Sequence, residues 1–219
     1  MVIWIPKGHF PHWQEKFTGT WKGSDILAYR TEIRQQRIVH FDNLYRYMYH
    51  YITEEGWKHP VSGKEIEPYY GETRNQAGGK EIRVWWRAKK SWAGGPGGGH
   101  AYFAYKLYVD IFATRMKRIE LSYKGKKVRP YQGDVTIWFA TVLEIDANKW
   151  KDQSGFGAEL YGLLEEYWVR RIYKRNIKDQ EVELRRFSAR FVDDVKHFVN
   201  LTRGSEQRKP WFEEKQFAF

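Results

Sequence analysis

The chain of 219 residues has no cysteine. That excludes disulfides, thiolate zinc sites, iron–sulfur clusters and a cysteine nucleophile. It also has no run near the ~18 apolar residues that a membrane-spanning helix needs. The longest mostly apolar stretch, Tyr102 to Thr114, is broken by Lys106 and Asp110. The N-terminus, Met1 to Pro6, lacks the basic start, apolar centre and small-residue cleavage site of a signal peptide. GxSxG, SxxK, GxGxxG and GxxxxGK[ST] are all missing, and so is HExxH. These absences set the expectation of a soluble, cytoplasmic, non-catalytic protein that holds neither metal nor cofactor.

Aromatic residues are abundant: 11 Trp, 15 Tyr and 13 Phe. Such a composition excludes disorder of the whole chain, and the length suffices to bury a sizeable core. The net charge is +11, from 38 Lys and Arg against 27 Asp and Glu. It is concentrated: residues 61–130 carry a balance of +9 and residues 131–219 carry none. A localised excess points to a polyanion partner more than a diffuse one does, although solubility alone explains many basic surfaces. Many Lys, Arg, Glu and Tyr without Cys also suit a thermophile.

The periodicities predict an α+β fold: a twisted antiparallel sheet with helices on one face, one helix before the sheet and a helical hairpin after it. Residues 1–40 read as an aromatic-rich arm, with one short strand or helix at Ile26–Ile38. Residues 41–202 form the domain, and residues 203–219 a tail. Asp42 to Glu55 is the first helix, with Asp42 as cap and Gly56 as terminator; Leu44, Met48, Tyr51 and Ile52 line one face. Strands follow at Ile82–Arg87, at Tyr102–Thr114, from Ile119 to Tyr123, and from Val135 to Ile145, with a hairpin turn at Lys124–Lys127. The glycine run at 94–99 lacks the Lys and Ser/Thr of a phosphate loop and reads as a flexible excursion. Helices are expected at Phe156–Lys174 and Val182–Leu201, joined by a turn at Asn176–Gln180.

The seven histidines are scattered, and the adjacent acid pairs Glu54–Glu55, Glu165–Glu166 and Asp193–Asp194 diverge on a helix surface. Glu144 and Asp146 share a strand face, but nothing completes a metal site with them. The richest constellation is basic and aromatic. Arg83, Trp85, Arg87 and Lys89 alternate on one strand face, with Lys90 on the other. Lys106 and Tyr108 share a face of the next strand. Arg115, Lys117, Arg118, Lys124, Lys126, Lys127 and Arg129 surround the hairpin. Cations make salt-sensitive phosphate contacts and aromatic faces stack unpaired bases, so these residues are the candidate nucleic-acid interface. The alternative is that Trp85 belongs to the core and the cations shield an edge strand.

A second class of function rests on the ends of the chain. Trp4, Phe10 and Trp13, with Trp211, Phe212, Phe217 and Phe219, are costly to expose. They dock on the same chain or on another copy, and the latter gives a homo-oligomer or filament. Phe41 to Met48, Lys80 to Lys89, Gly125-Lys126-Lys127 followed by Gly133 to Asp146, and Leu163 to Tyr167 together resemble conserved hypothetical proteins encoded by archaea. That resemblance implies an archaeal cytoplasm and carries no functional residue. The order of elements also resembles helix-grip folds, which implies a pocket for an apolar ligand lined by Tyr and Trp.

Overall fold

Among the described residues, strand-forming alternation and two amphipathic helices build a sheet with the helices packed on one face. A computed structural model describes residues 25–36, 38–60, 63, 65–74, 79–91, 102–123, 126–145, 167, 171 and 174–199. The elements are β1 (Ile26–Gln35), β2 (Ile38–Val39), α1 (Phe41–Glu54), β3 (Tyr69–Arg74), β4 (Lys80–Ser91), β5 (Phe103–Arg118), β6 (Leu121–Tyr123), β7 (Lys126–Val128), β8 (Tyr131–Ile145) and α2 (Lys174–Phe198). Six strands form an antiparallel sheet in the order β1-β8-β5-β4-β3, with β2 extending the edge beside β8. The β6–β7 hairpin stands apart as a second, two-stranded sheet. The fold is α+β, with an early and a late helix. β1 begins at Ile26, within the stretch read as an arm, and pairs with β8 from Leu143 to Val135.

Period-two alternation decides which residues meet the helices. Ile82, Val84, Trp86 and Ala88 of β4, Phe103 to Ala113 at alternate positions of β5, and Val135, Ile137, Phe139, Leu143 and Ile145 of β8 are buried on the helix side. Helix α2 covers β1 and β8, with Phe191 stacked on Phe139 at 4.9 Å between ring centroids. Helix α1 covers β4, and its Tyr45 meets Trp86 edge-on at 5.2 Å. The helices meet through Tyr47 on Phe198 and Tyr51 on Phe191. Three polar contacts fix α2 over the sheet: Thr141 Oγ1 with Ser188 Oγ at 2.7 Å, Tyr105 Oη donating to Gln180 Oε1, and Arg185 Nε donating to Ala28 O at 3.2 Å.

Three expectations are corrected at the helix ends. His40, not Asp42, is the N-cap residue of α1; Asp42 lies inside the first turn, where its charge still favours the helix dipole. Asn176 to Gln180 is helix rather than turn, because Ile177 and Gln180 continue the buried stripe of Leu184, Phe187 and Phe191. The late helix starts at Lys174 rather than Val182 and ends at Phe198. The other half of the expected hairpin, Phe156–Lys174, lies almost wholly outside the described residues. Gly56 terminates α1 as expected, at φ +81°, and Trp57 N–H closes the end by donating to Ile52 C=O at 3.3 Å.

Burial pushes the phenols of Tyr45, Tyr47 and Tyr105 well above their usual 10.0. Above pH 10 the unfolded chain releases these protons while the folded chain keeps them. Stability is therefore full below pH 10 and falls as pH rises further. Tyr105, only 6 % exposed, alone gives a slope of about 1.4 kcal/mol per pH unit. Thermal melts at pH 8 and pH 11 check this, and an unchanged midpoint would refute it.

Candidate nucleic-acid interface

The face opposite the helices carries the other half of each alternation. Across it run Tyr69 of β3; Arg83, Trp85, Arg87 and Lys89 of β4; Lys106, Tyr108, Asp110 and Phe112 of β5; and Thr136, Trp138, Ala140 and Val142 of β8. Its two ends differ. At one end Leu27, Ala140 and Val142 are buried as a second apolar cluster, with Tyr108 packed against them. Toward the other end β8 opens progressively, from half-buried Trp138, Thr136 and Asp134 to exposed Gln132.

Register explains what the cations do at the closed end. Arg87 lies beside Asp110, with Nη1 to Oδ1 at 2.6 Å, and covers the Tyr108 ring at 5.4 Å. Lys89 and Lys106 stand directly opposite each other, a repulsive pairing. Glu144 relieves it by binding Lys89 at 2.5 Å and Lys106 at 2.9 Å, and Asp25 adds a second partner for Lys106 at 2.8 Å. Burial alone would lower the Lys106 pKa, but hydrogen bonds to these two carboxylates outweigh it and raise it above the usual value. Arg83 binds Glu81 at 2.6 Å and lies over the Phe112 ring at 4.9 Å. Four cations of the sheet thus meet four carboxylates. Lys90, on the helix side, is 3.7 Å from Glu55.

A second concentration of positive charge stands at the other end, part of it ion-paired. Arg115 to Arg129 holds seven cations and one carboxylate. Arg118 is 61 % exposed, donates to Tyr131 Oη at 2.9 Å and lies 3.9 Å from Asp42. Arg129 binds Glu120 at 2.9 Å. Lys117 and Lys127 are exposed and have no ion-pair partner among the described residues. Lys126 lies on β7, and Lys124 falls outside the described residues, as do Trp4, Phe10, Trp13, Trp211, Phe212, Phe217 and Phe219.

A β-bulge shapes this end. Arg115 and Met116 together oppose the single residue Gly133 of β8, and Thr114 and Arg115 oppose Glu81 of β4. Arg115 adopts φ +57°, a left-handed conformation that costs a side-chain-bearing residue about 1–2 kcal/mol. Glycine stands on both flanks, Gly133 on β8 and Gly79 just ahead of β4. A Cβ on Gly133 would come within 2.8 Å of Thr114 O, and one on Gly79 would reach 3.4 Å from Arg115 Cα. The strand ends enclose a cleft of about 530 Å³, lined by Gln36, Gly79, Arg115, Lys117, Gln132, Gly133 and Asp134. Arg115 pairs with Asp134 across it.

An aromatic platform lies farther along the same face. Tyr69 and Trp85, cross-strand neighbours on β3 and β4, lie 4.4 Å apart between ring centroids at an interplanar angle of 31°. Tyr69 is 41 % exposed and Trp85 half-buried. Trp85 is on the face away from the core; its neighbour Trp86 is the core tryptophan. The rungs of Trp85 and Lys117 are separated by six residues of β8, about 20 Å.

Of the residues that the sequence suggested, Arg83, Trp85, Arg115 and Lys117 stand toward the open end of this face, Arg118 lies on the helix side with Tyr131 and Asp42, and Arg87, Lys89, Lys106 and Tyr108 are engaged at the closed end. Sequence reading missed Tyr69, Gln36, Gln132 and Asp134, and the glycines at 79 and 133. Tyr69 carried a weak signal, as an aromatic residue followed by Tyr70. The bulge carried none, because arginine is rare in the left-handed region. Among the described residues no group of three or more His, Asp or Glu converges as a metal site, and no helix is long and apolar enough to cross a membrane. No protein-family model matches the chain, and no curated protein matches it.

Proposed function

We propose that this protein is a non-catalytic binder of single-stranded nucleic acid, and that the strand runs along the open end of the sheet from the Tyr69–Trp85 platform to the cations around Lys117. The observation that supports this reading is the presence on one face, about 20 Å apart, of a half-exposed aromatic pair and Lys117, an exposed cation with no ion-pair partner among the described residues. Stacking tolerates any base, and the cations follow the backbone. A duplex is disfavoured because its bases are already stacked and present no face to Trp85. A cytoplasmic setting belongs to the same proposal.

The helix-grip reading has less support, since Trp86, Phe103, Phe139, Phe191 and Phe198 fill the space between helices and sheet. Anisotropy of a labelled single-stranded oligonucleotide, titrated at several salt concentrations, tests the proposal. Affinity should fall as salt rises. Lys117→Ala should reduce the logarithmic salt slope by about 0.7, the value for one phosphate contact on a single strand, whereas Arg118→Ala, on the helix side beside Asp42, should change it less. Binding that is indifferent to salt, or a slope that Lys117→Ala leaves unchanged, would overturn it.

A further inference from the structure

We infer that the cleft at the β5 bulge is a subsite for a nucleoside phosphate, either the phosphorylated end of a bound strand or a free mononucleotide. The inference rests on the nucleic-acid reading for the strand end, but the cleft's chemistry stands apart from it. Its volume, about 530 Å³, lies in the range of small-molecule sites and is far larger than a bare phosphate requires. Its lining is mixed. Arg115 and Lys117 supply cationic donors for a phosphate, and the arginine offers the planar fork suited to it. Gln36 and Gln132 present donors and acceptors together, which match base edges.

Asp134 argues against a simple anion and for a nucleoside. Its carboxylate repels a phosphate placed beside it, but it accepts protons from a ribose hydroxyl or an exocyclic amine. It also binds Arg115 and so holds the guanidinium at the mouth of the cleft. The bulge aims these groups. An arginine kept at φ +57°, where glycine would fit without strain, places a charged fork where the strand would otherwise turn smoothly. Gln36, Gln132 and Asp134 reach the cleft because the open-face alternation of β1 and β8 continues to their ends. The platform and the cleft therefore lie on one continuous face.

The test compares four ligands on the full chain: a short oligonucleotide with no terminal phosphate, the same with a 5′-phosphate, the same with a 3′-phosphate, and a nucleoside monophosphate. Competition against a labelled oligonucleotide gives the first three affinities, and calorimetry gives the fourth. One phosphorylated end should bind about tenfold more tightly than the unphosphorylated oligonucleotide. Arg115→Gly should cut that ratio to below about twofold without lowering the melting temperature, since the strain is relieved. The ratio is the readout, so a general loss of affinity cancels. If all three oligonucleotides bind equally and the mononucleotide does not bind, the subsite is refuted and the surface reading survives. If only the mononucleotide binds, the subsite is supported and the surface reading fails. If none of the four binds, both are refuted.

Discussion

Trp86→Ala should lower the free energy of unfolding by about 3–5 kcal/mol, whereas Trp85→Ala, one residue away, should lower it by about 1 kcal/mol. Trp86 has no exposed surface and lies edge-on to Tyr45 and Tyr49 of α1 at 5.2 and 5.9 Å. Its Nε1–H donates to Glu67 Oε2 at 2.9 Å, and Tyr45 Oη donates to the same oxygen. Truncation opens a cavity under α1 and leaves the half-buried carboxylate with one donor fewer. A loss of that size is a large share of the 5–15 kcal/mol typical of a domain. Trp85 is half-buried on the opposite face, so its truncation removes the contact with Tyr69 without opening a cavity in the main core.

The ranking reverses for ligand binding. Trp85→Ala should weaken a single-stranded oligonucleotide by about 1–3 kcal/mol, the usual contribution of one stacked base. Urea unfolding and anisotropy on the two variants provide the comparison. Equal stability losses would place both rings in the core and remove the platform.

That contrast was half legible. Alternation from Ile82 to Lys89 assigns Trp85 and Trp86 to opposite faces without any structure, because the side-chain period of a strand is two. What alternation leaves open is which face meets the helices and which residue stands across the ladder. The partners of Arg87, Lys89 and Lys106 come from Asp110 on β5, Glu144 on β8 and Asp25 ahead of β1. Two of those three carboxylates are more than fifty residues from one of their cations, and only the order β1-β8-β5-β4-β3 joins them.

The charge concentrated at residues 61–130 divides between ion pairs on the sheet and the stretch around the hairpin. Four of its fifteen cations are balanced within the sheet, and seven belong to the stretch from Arg115 to Arg129 at and beyond the end of β5. The helix stripe of Leu44, Met48 and Ile52 was legible for the same reason as the strands: local spacing and burial agree. The turn at Asn176–Gln180 was misread because polar residues there suggested a break. The helix passes through it by burying Ile177 and Gln180 on the stripe already set by Leu184.

The bulge was illegible because an arginine, rare in the left-handed region, occupies it, and Gly133, the glycine packed against it, lies on another strand. Gly133→Ala should therefore be among the most damaging single-methyl changes in the sheet. The added Cβ would sit 2.7 Å from Met116 Sδ and 2.8 Å from Thr114 O. Met116 is 1 % exposed, and Thr114 O belongs to the backbone, so relief requires the bulged strand to move. Overpacking of this kind costs about 1–3 kcal/mol or more, and for a chain of this size that lowers the melting temperature by about 5–10 °C. Gly79→Ala is the matched control on the opposite flank. Its Cβ would stop 3.4 Å from Arg115 Cα, at ordinary contact, and the melting temperature should change by less than about 2 °C. Melting of the two variants by circular dichroism decides it. If both are tolerated, the strand at Arg115 is free to shift and no rigid bulge holds the cleft. If only Gly133→Ala is damaging, the glycine of β8 permits Arg115 and Met116 to crowd against it. The cleft mouth is then set by β8 as much as by the arginine that lines it.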